Sequence, residues 1–193
     1  YNHIGFRIAE ETSSLMIEIV GAGELDHLST ERVWVETHKA LSERNPEIFW
    51  QVLEDCGALK ELMPELAVSN GVAALSCAAP HTARTDCRWA ALLADLPEGR
   101  ALQANKRVKA PKDFSLLATR VSRLRPQMKT VLRNGVACMD SLKALDALRR
   151  NEPFEGFCET LAALEQNSTD ALSAVSTLRN ARDAAKAVRA ADF

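Results

Sequence analysis

Apolar residues recur at intervals of three and four along most of the chain, and the breaks between these runs carry helix-start and helix-stop chemistry. Over residues 10–20, Leu15, Met16, Ile19 and Val20 take adjoining positions of a predicted helix that Gly21 and Gly23 stop. Its apolar side requires a partner. A second helix starts at Ser29, whose hydroxyl suits the N-cap, with Glu31 in the first turn facing the positive end of the helix dipole. Its apolar stripe is Val33, Trp34, Thr37, Ala40 and Leu41, and Glu31, Glu36, Lys39, Glu43 and Arg44 form the opposite face. A third helix opens at Asn45 and Pro46, because proline at the first helical position gives up an N–H that has no partner there. It supplies Phe49, Trp50, Val52 and Leu53 and ends at Gly57, with one further short turn over residues 58–62 before Pro64.

Residues 66–80 loosen into small and apolar side chains, which predicts a connection or short helix and a soft boundary between subdomains. Helical periodicity resumes over residues 84–96, with Pro97 and Gly99 as its end. Pro111 starts another helix, apolar at Phe114, Leu116, Leu117, Val121 and Leu124, and Pro126 stops or kinks it. Helices are then expected over residues 127–132 and 136–150, separated by Asn134 and Gly135. A further one runs from Pro153 with Phe154, Phe157, Leu161 and Leu164 at helical spacing. From Thr169 the chain is Ala-rich, with a stripe of Leu172, Val175, Leu178, Ala181, Ala185 and Val188 that suits either packing or a homodimer through the tail. The expected division is residues 1–66, 67–150 and 151–193, with no fixed-period repeat.

Composition supports the all-α class: 47% of residues are hydrophobic, Ala, Leu, Glu and Arg dominate, and a single Tyr and eight Gly leave little for turn-rich β architecture. The chain opens on Tyr1 with no signal-peptide pattern, so it reads as part of something longer. No run approaches the roughly 20 apolar residues of a membrane span, which predicts a soluble protein without membrane contact. Five cysteines with no C-x-x-C pair predict free thiols and a cytoplasmic setting. A net charge of −2 conceals a strong segregation. Residues 101–150 carry a local charge of +9 and the remainder −11. Such a distribution suits a basic surface facing a polyanion, although a solvated helix face is the blander reading.

The stretches GFRIAEETSSLM, AGELDHLSTERVWVETHKAL and NPEIFWQVLEDCGALKELMPEL, in that order, closely resemble the neck and early body of bacterial CCA-adding tRNA nucleotidyltransferases, the class shared with bacterial poly(A) polymerases. CRWAALLADLPEG, NKRVKAPKDFSLLA and MDSLKALDALRRNEPFEGFCETLAAL resemble later body helices of the same family. The resemblance implies an all-α neck-body-tail array that binds the acceptor stem and elbow of tRNA by shape. It also implies a parent that adds CCA from CTP and ATP with magnesium. The family's catalytic head, with its metal carboxylates and nucleotide-selecting Asp and Arg, lies upstream of the resembling segment. No catalytic residue, metal ligand or cofactor is therefore expected in this segment. Where relatives carry a His-Asp pair, this chain has Ala94 and Asp95, so phosphohydrolase chemistry is not expected and Asp95 reads as a solvated carboxylate.

The candidate RNA contacts are Lys106, Arg107, Lys109, Lys112, Arg120, Arg123, Arg125, Lys129 and Arg133, with Lys109, Lys112, Arg120 and Arg123 expected along one side of a helical hairpin. Trp34, Trp50 and Trp89 lie within apolar stripes and read as core, Cys56 as an ordinary buried thiol, and His38 as a boundary residue. A poly(A) polymerase fragment is the alternative within the class, which a sequence pI near 6.1 disfavours. A free-standing helical protein-interaction module is the alternative outside it.

Overall fold

Ser29 and Gly57 frame the N-terminal helices in the computed structural model, which describes residues 8–188. Gly5, Phe6 and Arg7 of the first motif, His3 and the last five residues of the tail lie outside the described residues. α1 spans Glu10–Gly21, and Gly23 in the left-handed region (φ 75°) turns the chain into a short 3-10 segment, Glu24–His27. α2 (Thr30–Ser42) starts where the Ser29 hydroxyl accepts the Arg32 N–H at 3.4 Å. α3 (Glu47–Asp55) begins one residue after Pro46, and Gly57 at φ 81° both ends it and opens α4 (Ala58–Leu62). A left-handed φ is open to glycine without the penalty a Cβ imposes.

The rest of the chain folds around one buried helix. α5 (Gly71–Ala78) leads through a 3-10 turn to α6 (Thr85–Leu92), in which every residue from Cys87 to Leu92 is buried. α2, α5, α8 (Lys112–Leu124) and α11 (Asn151–Leu164) all pack on α6. A continuous apolar core runs from Leu41 through Trp50, Trp89, Val121, Phe154 and Phe157 to Leu178. The three tryptophans belong to it as expected. Trp34 meets Trp89 edge-on at 5.4 Å between ring centroids and Phe114 at 5.1 Å, arrangements that add about 0.5–1.5 kcal/mol each beyond simple burial. The described residues contain helices and turns and no strand, so the all-α expectation holds.

Two elements depart from the sequence reading, and a third settles between the two alternatives it left open. A helix, α7 (Glu98–Arg107), occupies residues that were read as a break. Pro97 sits at its N-cap and Gly99 in its exposed first turn, where neither obstructs an intrahelical hydrogen bond. After α9 (Met128–Val131), α10 (Gly135–Ala144) ends six residues short of Arg150, because Asp146 adopts the left-handed region (φ 53°). Its carbonyl then accepts the Arg149 and Arg150 amides in a turn. The tail, α12 (Thr169–Ala187), does not project along its stripe: Val175 and Leu178 are buried and Ala181 packs on the core. Arg182 fastens it to α11, lying over the Phe154 ring at 4.4 Å and donating to Glu155 at 2.7 Å.

α1 is the exception to this packing. None of its residues is buried, and Leu15, Ile17 and Ile19 are exposed. Its other side, with Met16 and Val20, borders an apolar groove of about 490 Å³ shared with Val33, Phe49, Trp50 and Leu53.

Candidate nucleic-acid interface

The nine basic candidates do not form one stripe. α8, with thirteen residues, is about 20 Å long, and it separates them into two groups. Lys106, Arg107, Lys109 and Lys112 lie at its N-terminal end, and Arg123, Arg125, Lys129 and Arg133 at the other. Arg120 lies between, half-buried.

Four of the nine are already paired with carboxylates. Arg107 forks onto Glu65, with its Nε and Nη2 donating at 3.0–3.3 Å. Glu65 is only 3% exposed. Burial by itself would raise the Glu65 pKa, but the hydrogen bonds from Arg107 prevail and hold it below the ordinary value. Lys109, in the left-handed region at φ 51°, reaches Glu31 at 2.5 Å and lowers the pKa of that carboxyl. Arg123 meets Glu98 at 3.5 Å. Arg125 lies between Asp95 and Glu165, in the wall of a hollow of about 480 Å³ that Lys129 also lines. Asp95 is exposed, as expected, and is also one end of an ion pair with Arg125. Lys106, Lys112, Arg120, Lys129 and Arg133 have no ion pair among the described residues, and all but Arg120 are exposed.

The pairs have an architectural consequence. Glu31 starts α2 and Glu65 follows α4, so Lys109 and Arg107 tie the basic segment to the N-terminal helices. A stronger tie was not foreseen. Arg88 of α6 is 7% exposed and donates to four backbone carbonyls, those of Leu41 and Glu43 at 2.7 Å, Thr82 at 2.8 Å and Ala79 at 3.0 Å. It closes the C-terminal end of α2 onto the body. Arginine at the start of an otherwise apolar run, RWAALL, is the signal that could have found it.

The donor sets in this segment do not fit a magnesium ion. Four of its half-buried carboxylates are engaged by guanidinium groups: Asp86 and Glu159 by Arg84, Glu155 by Arg179 and Arg182, and Glu165 by Arg125. Among the described residues no group of three or more His, Cys, Asp or Glu side chains converges in a metal-holding arrangement. Nor is any described helix long and apolar enough to cross a membrane. His38 sits at the boundary as expected, its Nε2 3.3 Å from the Thr85 hydroxyl.

Residues 5–69 match the family described as "Probable RNA and SrmB-binding site of polymerase A". Helices α1–α4, which Arg88, Arg107 and Lys109 tie to the body, fall within that match. The whole chain has relatives as well. It is 39% identical to the Multifunctional CCA protein of Pseudomonas putida strain KT2440 over 97% of this chain and 52% of that protein. It is 38% identical to the CCA-adding enzyme of Pseudomonas putida strain W619, over 98% and 52% respectively. With the Multifunctional CCA protein of Teredinibacter turnerae it shares 37% identity over 88% of this chain and 50% of that protein. The chain belongs to the CCA-adding enzyme family and corresponds to the C-terminal half of its members. It spans about half the length of the relatives it matches. No solved structure matches it.

Proposed function

We propose that this chain is the tRNA-holding part of a CCA-adding nucleotidyltransferase. In this reading it grips the acceptor stem and elbow of tRNA in the cytoplasm, while CCA addition from CTP and ATP with magnesium takes place on the parent's catalytic head. The observation that carries the reading is the match of residues 5–69 to a family described as an RNA-binding site, on helices fastened by Arg88, Arg107 and Lys109 to a body in which five of the nine candidate cations have no ion pair. Phosphate contacts from Lys106, Lys112, Arg120, Lys129 and Arg133 would position an A-form helix without reading its sequence. Arg107, Lys109 and Arg125 act mainly by holding the surface in shape.

The test combines two measurements on the isolated chain. With tRNA lacking its 3′ end, CTP, ATP and magnesium, the chain adds no nucleotide, yet it binds that tRNA with an affinity that falls with salt. Nucleotide addition, or absence of tRNA binding, overturns the reading. A specific observation favours a protein-interaction module as the second reading: α1 exposes Leu15, Ile17 and Ile19 beside an apolar groove. A poly(A) polymerase parent has less support, since the relatives above are named for CCA. A homodimer through the tail has little support either, because Val175, Leu178 and Ala181 of the α12 stripe pack internally.

A further inference from the structure

Five cationic side chains among the described residues are buried or half-buried, and four of them have built-in partners. Arg84 has Asp86 and Glu159, Arg125 has Asp95 and Glu165, and Arg182 has Glu155, Asp183 and Asn151. Arg88 has its four carbonyls. Arg120 alone has none: its Nη1 is buried without a hydrogen-bond partner, and no carboxylate lies within ion-pair distance. A charged donor removed from water without a partner is costly, and native folds rarely keep one without a reason.

The surroundings of Arg120 sharpen the point. Arg123 follows it by one turn on α8, and Arg150 heads α11, which packs on α8. Both cations act on Arg120 electrostatically. Burial is the largest influence lowering the Arg120 pKa, Asp146 opposes it, and Arg150 and Arg123 add to it. The carboxylates facing the group are thus Asp146, outside ion-pair distance, and Glu98, 3.5 Å from Arg123. The left-handed turn at Asp146 is what directs the chain into Arg150, since the Arg150 N–H donates to the Asp146 carbonyl at 2.9 Å. Arg120 thus keeps a buried, unpartnered donor on α8, the helix that also carries Arg123 and against which the helix headed by Arg150 packs, whereas elsewhere the fold pairs its half-buried cations.

We infer that Arg120, Arg123 and Arg150 form a phosphate subsite that takes a backbone phosphodiester of bound RNA. The inference rests on the RNA-holding reading above and adds Arg150, a residue on a different segment from the other candidates. The non-bridging oxygens of the phosphodiester accept from the guanidinium groups, and their charge offsets the mutual repulsion of those groups. Arginine suits this task because its planar fork donates two parallel hydrogen bonds to one phosphate.

The experiment measures tRNA affinity against salt for the full chain and for Arg120→Gln, Arg150→Gln and the double variant. Each single change is expected to weaken binding roughly tenfold and to reduce the salt slope by about one. The double variant is expected to lose less than the product of the two, because both groups serve the same phosphate. Arg150 is exposed, so its variant reports even if Arg120→Gln fails to fold. Steep, salt-dependent binding by the unaltered chain with no change in either variant overturns the subsite and leaves the RNA-holding reading standing. Absence of salt-dependent binding by the unaltered chain overturns both. Millimolar inorganic phosphate that raises the melting temperature of the unaltered chain but not of Arg120→Gln would assign the site to free phosphate instead and overturn the RNA assignment.

Discussion

Replacing Arg88 with Met tests whether one side chain holds the N-terminal helices to the body. Methionine keeps much of the stem's apolar volume and removes all four donations, leaving the carbonyls of Leu41, Glu43, Thr82 and Ala79 without that partner. A hydrogen bond to a charged group contributes about 1.5–3 kcal/mol, which for four bonds would total about 6–12 kcal/mol if they simply added. They do not add, because removing the guanidinium also removes its own desolvation cost. Breaking a buried charged interaction from one side costs about 3–5 kcal/mol, and that is the expected loss. For a chain of this size each kcal/mol moves the melting temperature by about 2–4 °C, so a fall of about 10 °C is expected in thermal unfolding followed by circular dichroism. Amide hydrogen exchange should rise first near the C-terminal end of α2 and the turn after it, where two of the four carbonyls lie. Lysine, with a compact head and no planar fork, should recover less than half of the loss. A loss below about 1 kcal/mol for Arg88→Met, with unchanged exchange around α2, would refute this account of the hub.

Other changes probe separate features. Gly71→Ala places a Cβ 2.2 Å from the Leu92 carbonyl oxygen and 3.0 Å from the Leu66 side chain, so urea unfolding should show a loss of about 2–3 kcal/mol. Burial pushes the Cys87 and Cys158 thiols up to about 12, Cys56 and Cys138 are buried, and Cys77 is exposed. A thiol reagent at pH 8 should therefore modify Cys77 rapidly in the native protein and all five cysteines after denaturation. Glu65 has a depressed pKa when folded, so its contribution to stability is present above the ordinary value of 4.5 and is lost as pH falls through the folded pKa. Glu65→Gln should accordingly be less stable than the unaltered chain near neutral pH, and the difference should shrink in urea titrations below pH 4.5.

Local chemistry was legible where it acts over a few residues. The Ser29 cap, the left-handed Gly57 and the burial of Trp50 and Trp89 each follow from neighbours within one or two helical turns. Pro97 and Gly99 misled because the same residue types that stop one helix are tolerated at the start of the next, and α7 begins there. The early end of α10 depends on Asp146 in a conformation that aspartate tolerates better than most residues but that no pattern of apolar positions reveals. The basic stretch was visible as a charge excess, but its division was not. Lys109 meets Glu31 across 78 positions and Arg107 meets Glu65 across 42, so only the folded chain separates structural cations from those left unpaired. Residues 5–69, which match the polymerase A RNA-binding family, lie outside that stretch, and charge counting alone would have missed them.

The most direct test of the central claim is the affinity of this chain for tRNA lacking its 3′ end, measured between 50 and 200 mM salt. Five unpaired cations among the nine candidate contacts predict a fall of roughly 100- to 1,000-fold across that range, with little dependence on tRNA sequence. Binding that is absent, or that stays level as salt rises, would contradict the account.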